Sequence, residues 1–106
     1  MVFTSFVTLF ANPLPAHAAS LTWDGGGADN NWSTCANWTT DTCPIAGDTV
    51  TFNATSTKNS TIDAGAPASV ATLTIAAGYT GTITLARTFA TTTTFSQATG
   101  SFTASN

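Results

Sequence analysis

Ionisable side chains are scarce in this chain. Of its 106 residues only 7% are charged, against roughly a quarter in an average soluble domain. Glutamate is absent; the acids are Asp24, Asp29, Asp41, Asp48 and Asp63, the bases are Lys58 and Arg87, and the net charge is −3. Phosphate neutralisation needs clustered Lys and Arg, so nucleic acid is excluded as a partner. A basic helix lying on a membrane surface fails for the same reason. Histidine is represented by His17 alone and cysteine by a single pair, too few for a four-ligand zinc site. Long apolar runs are missing too. The longest, residues 2–11, is about half of the roughly 20 residues that a membrane span needs. What remains is a hydrophobic fraction of 42% set among Thr, Ser, Gly, Ala and Asn. Thr favours strands through its branched Cβ, and the composition predicts one small all-β domain.

The apolar run is broken by Asn12, Pro13 and Pro15 and followed by Ala16-His17-Ala18, a small-x-small triplet. That order ends a secretory signal peptide. Residues 1–18 are therefore expected to be cleaved after Ala18, with the rest exported to the cell surface or the medium and no transmembrane span left behind. No Lys or Arg precedes the run, so the true start is expected upstream of Met1. Export permits a disulfide between Cys35 and Cys43. Closing that nine-residue loop is worth about 2.5 kcal/mol in the chain-entropy picture.

Two zones follow. Residues 19–47 hold all three tryptophans, Trp23, Trp32 and Trp38, among Gly, Asn and Asp, and read as irregular chain packed on aromatic anchors. Residues 48–106 change to short alternating segments at 49–52, 70–75, 82–85, 93–95 and 101–103, the period-two signature of half-buried strands. Leu73, Ala76 and Gly78 recur as Phe95, Ala98 and Gly100, a period within the solenoid range. The predicted architecture is the start of a right-handed parallel β-helix behind a Trp-rich N-terminal cap, with Leu73 over Phe95 and Ala76 over Ala98 in its interior. A small antiparallel β-sandwich, with a hairpin at residues 78–81, is the alternative. The repeats amount to fewer than three coils, and solenoids typically need about three with caps. The chain is therefore expected to be truncated at its C-terminus, with further coils of the same longer chain as its first partner.

The segment Trp23-Asp-Gly-Gly, Asn31-Trp32-Ser, Ala36-Asn37-Trp38, Pro44 and Gly47-Asp48-Thr49-Val50-Thr51-Phe52 resembles the opening of bacterial exported β-helical surface proteins, autotransporter passengers and adhesin-like repeat proteins among them. The resemblance implies that Trp23, Trp32 and Trp38 build the cap and that Gly47-Asp48 turns the chain into its first strand. It implies a structural or adhesive role at the cell surface, with host or cell-surface glycans or proteins as partners. The Cys35–Cys43 pair departs from the pattern.

Chemistry-bearing residues are few. After Ala18 there is no His, no Glu and no Gly-x-Ser-x-Gly elbow, so a non-enzymatic role is expected, with no catalytic residue and no cofactor. The alternative is the N-terminal part of an extracellular polysaccharide-acting β-helix enzyme whose active site lies downstream. Asp24, Asp29, Asn30 and Asn31 offer hard oxygens to calcium, but their spacing fits neither an EF-hand nor a calcium-binding β-helix repeat, and no metal ligand is assigned. The tryptophans suit a sugar-stacking platform or, more simply, a small core. Four Asn-x-Ser/Thr sequons, at Asn31, Asn37, Asn53 and Asn59, follow from the abundance of Thr. The pairs Thr49/Thr51, Thr72/Thr74 and Thr82/Thr84 raise ice binding, yet they are not spaced by one repeat length, so their hydroxyls are not expected to line up.

Overall fold

The computed structural model describes residues 18–104; residues 1–17 of the expected signal peptide lie outside that range. Seven strands account for most of the regular structure: β1 (Ser20–Thr22), β2 (Thr49–Phe52), β3 (Ser60–Ile62), β4 (Ser69–Ile75), β5 (Thr82–Leu85), β6 (Ala90–Gln97) and β7 (Ser101–Ala104). Two single-turn 3-10 segments, Cys35–Asn37 and Thr39–Asp41, sit between β1 and β2. No helix among the described residues is long and apolar enough to cross a membrane. The fold is all-β.

From β2 onward the chain alternates between two sheets, one ordered β1-β2-β4-β6 and the other β3-β5-β7. All five strand pairs are parallel. Sheet neighbours are thus separated by a whole excursion through the other sheet, the long connection that parallel pairing requires. The hairpin expected at residues 78–81 does not form, because β4 and β5 belong to different sheets. Two glycines make this corner possible. Gly78 has φ +100°, and a Cβ on Gly81 would lie 2.5 Å from the Thr57 carbonyl oxygen and 2.6 Å from Tyr79 Oη. Isolated alternation therefore located strands without telling which sheet they join.

The register stacks like on like. Leu21, Val50, Leu73 and Phe95 form one inward column, and Ser60, Ile83 and Phe102 another in the facing sheet. Leu21, Val50 and Leu73 are buried, but Phe95 is 47% exposed. It sits in register over Leu73, as the repeat suggested, on an outer strand with a neighbour on one side only. The expected interior stacking of Ala76 on Ala98 is not seen. Both lie just past their strands, Ala76 half-buried and Ala98 exposed.

Candidate functional site at the tryptophan-rich end

The densest side-chain arrangement lies where residues 23–38 fold over the first strands. Trp23, Trp32 and Trp38 are each 0% exposed, so none presents a ring face to a sugar. Trp38 meets the other two edge-on at 5.1 Å between centroids, and Phe52 lies against all three at 5.5–5.8 Å. Tyr79 and Phe89 extend the group, against Phe52 at 5.0 Å and Trp32 at 5.3 Å. Each indole N–H has a partner: Trp23 donates to the Lys58 carbonyl, Trp32 to Ser60 Oγ and Trp38 to the Trp32 carbonyl, at 2.9–3.1 Å. A buried indole without such a partner would incur a desolvation cost. This is a core, fully satisfied.

Lys58 organises the loop around it. Its ammonium donates to the carbonyls of Gly25, Gly27 and Asp29 at 3.1, 2.9 and 2.7 Å, and lies 3.5 Å from Asn37 Oδ1. Three main-chain oxygens converging on one cation is the arrangement a hard metal ion would impose; here an internal ammonium imposes it. Asn37, 0% exposed, completes the knot. Its Nδ2 donates to the Asp29 and Asn31 carbonyls and to Asp29 Oδ1, while its Oδ1 accepts from Gly27 N–H. Lys58→Met should leave those carbonyls to bulk water and cost roughly 2–3 kcal/mol, since hydrogen bonds to charged groups are the stronger kind. The change is read as a lower urea midpoint at unchanged slope.

Of the oxygens that the sequence offered to calcium, Asp24 Oδ1 and both carboxylate oxygens of Asp29 accept hydrogen bonds. Asp24 Oδ1 accepts from Gly26 N–H. The Asp29 carboxylate accepts from Asn31 N–H and Nδ2, Thr34 Oγ1 and Asn37 Nδ2. The Asn31 and Thr34 donors hold its carboxyl below the usual carboxylate range. Burial pushes the Asp63 carboxyl up, but bonds from Ser33 and Gly65 outweigh it and leave a net lowering. Both carboxyls favour the fold when ionised, so that stabilisation is lost as pH falls below the ordinary Asp range. Among the described residues no three His, Cys, Asp or Glu side chains cluster to hold a metal ion.

Cys35 and Cys43 are disulfide-bonded, with Cα atoms 4.3 Å apart, and tie the two ends of the 3-10 segments together. Gly47 has φ +95°, and the turn it makes precedes a buried Asp48. Its two carboxylate oxygens accept from Ala19 N–H and Ile45 N–H, each at 2.8 Å. Asp48 thereby fixes both the entry to β1 and the turn into β2.

Tyr79 gives this region a titratable reporter. It is buried, its hydroxyl donates to the Lys58 carbonyl at 3.0 Å, and burial pushes its phenol up to about 12. Above pH 10 the unfolded chain ionises at this position and the folded one does not. Stability should therefore fall by about 2–3 kcal/mol as pH rises from 10 to 12. This is the only tyrosine, so phenolate absorbance reads the site directly. Titration at the ordinary value in the folded protein would contradict the burial.

A second feature shares Phe89 with the aromatic group. A cavity of about 250 Å³ opens between β6 and β7, lined by Leu73, Phe89, Ala90, Thr91, Phe95 and Phe102. It carries no ionisable group.

The sequence singled out the tryptophans and the cysteines, and the structure brings them together with residues it did not single out. Lys58 was legible only as one of two bases, and Asn37 only as part of a sequon and of the Ala36-Asn37-Trp38 motif. No protein-family model matches this chain, and no curated protein or solved structure matches it significantly.

Proposed function

We propose that this chain is the beginning of an exported bacterial surface protein of the β-helical kind, with a structural or adhesive role and no catalytic one. The two parallel sheets are read as the first coils of a right-handed β-helix, and the Trp23–Trp32–Trp38 group as its N-terminal cap. One observation carries the reading: the continuous register of Leu21, Val50, Leu73 and Phe95, in which each strand supplies the next with one more layer of the same column. The column is buried at Leu21, its first end, and exposed at Phe95, its last. A further coil of the same longer chain is the natural covering for that open end.

The non-catalytic part of the reading rests on inventory. Paired acid and base groups do the work in polysaccharide-cleaving enzymes. Asp24, Asp29, Asp48 and Asp63 here instead hold backbone amides at turns. Cell-surface glycans or proteins are the proposed partners. The test is expression of the full chain in a bacterium, followed by fractionation, N-terminal sequencing, glycan-array binding and polysaccharide digestion. Export with Ala19 as the first residue, glycan or cell binding and no released sugar is the expected result. Uncleaved retention in the cytoplasm, or turnover of a polysaccharide, would overturn it.

A further inference from the structure

The register that stacks the core also stacks what points the other way. Side chains alternate across a strand, so the outward residues of β1, β2, β4 and β6 form their own ladders. One row is Ser20, Thr49, Thr72 and Thr94; the next is Thr22, Thr51, Thr74 and Ser96. All eight residues bear hydroxyls. The unequal sequence spacing of the Thr pairs spoke against such alignment, but Thr82/Thr84 lies on β5 in the other sheet, while Thr49/Thr51 and Thr72/Thr74 face each other directly. Between Val70 and Thr72 the pairing of β4 with β6 shifts register, so that Val70 faces Thr91 while Thr72 faces Thr94. Without that shift every later side chain of β6 would flip: Phe95 would point outward, and Thr94 and Ser96 inward.

Three properties define the face. None of β1, β2, β4 or β6 contains a charged residue. None of the eight hydroxyls bonds to another described residue, whereas those of Ser33, Thr34 and Thr99 are engaged. Its neutral donors and acceptors repeat about 4.8 Å apart across strands and about 6.7 Å along them. The oxygen repeats of hexagonal ice on its prism face lie close to both spacings. We propose that the outer face of the β1-β2-β4-β6 sheet binds the surface of crystalline water, through waters ordered on its two hydroxyl rows.

A neutral array suits a neutral lattice: each hydroxyl both donates and accepts, and no ion imposes a competing hydration shell. A crystalline polysaccharide would call for exposed ring faces to stack on its sugars. The tryptophans are buried, and the one exposed aromatic among the described residues, Phe95, belongs to the inward column. The other sheet provides an internal control. Its single full row is Thr61, Thr84 and Thr103, bordered by Asp63 and Arg87.

The experiment is nanolitre osmometry with ice-crystal microscopy on the full exported chain. Thermal hysteresis and faceted crystals are expected. The double variant Thr51→Lys/Thr74→Lys should abolish both, as should the single Thr74→Tyr, while Thr84→Lys on the other sheet should retain both. Near-UV circular dichroism of the three buried tryptophans confirms that each variant is folded. Unfaceted crystals without hysteresis at millimolar protein would overturn the proposal. So would equal loss in Thr84→Lys, or retention on chitin or cellulose particles without any effect on ice.

Discussion

Trp38→Ala should be the most damaging single substitution in this chain, with a loss of roughly 3–5 kcal/mol. Trp38 sits between Trp23 and Trp32, touches Phe52, and donates its indole N–H to the Trp32 carbonyl. Truncation leaves a cavity bounded by three aromatic rings, each fixed by contacts of its own, so the space cannot readily collapse. It also strands a buried carbonyl. A domain this small has a total stability of about 5–15 kcal/mol. The variant should melt at least roughly 15 °C lower, or fail to give a cooperative transition. A near-native melting curve would mean that the aromatic group is peripheral to folding.

Leu73→Ala ranks next, at roughly 2–5 kcal/mol. Leu73 is 0% exposed and lies between Val50 and Phe95 in the inward column, so its loss interrupts packing on both sides. Phe95 offers the contrast within the same column. It is larger, but 47% exposed, and Phe95→Ala should cost only about 1–2 kcal/mol in proportion to the apolar area it removes from water. Urea melts of the two variants side by side test the order. If Phe95→Ala proved the worse, the column would have to be closed at its far end by contacts that this structure does not contain.

Much of the strand content was legible because alternation is local. The segments at 49–52, 70–75, 82–85 and 101–103 are close to β2, β4, β5 and β7, since Thr-Val-Thr-Phe or Thr-Ile-Thr-Leu can bury one face only as a strand. The disulfide was legible from the pairing of two cysteines in an exported chain. β1 and β3 were missed because three residues are too few to display a period. The Lys58 cage was missed because its ligands are main-chain carbonyls, which any sequence provides. The hydroxyl rows were set aside on a count that took Thr82/Thr84 as the pair after Thr72/Thr74, whereas that pair lies in the other sheet and Thr94 and Ser96 continue the rows. Residue counts fail where successive strands belong to alternate sheets.

Parallel register is the claim on which the column, the hydroxyl rows and the β-helical reading all depend, and cysteine cross-linking reads it directly. Thr51 and Thr74 are partners on adjacent parallel strands, within the Cα separation that a disulfide spans. Thr51→Cys/Thr74→Cys should bridge under mild oxidation, detected by peptide mass mapping alongside the native Cys35–Cys43 bond. Thr74→Cys/Thr84→Cys should stay reduced, because those positions lie in different sheets. A bridge in the second pair and none in the first would mean hairpin pairing of β4 with β5, and would contradict the parallel arrangement.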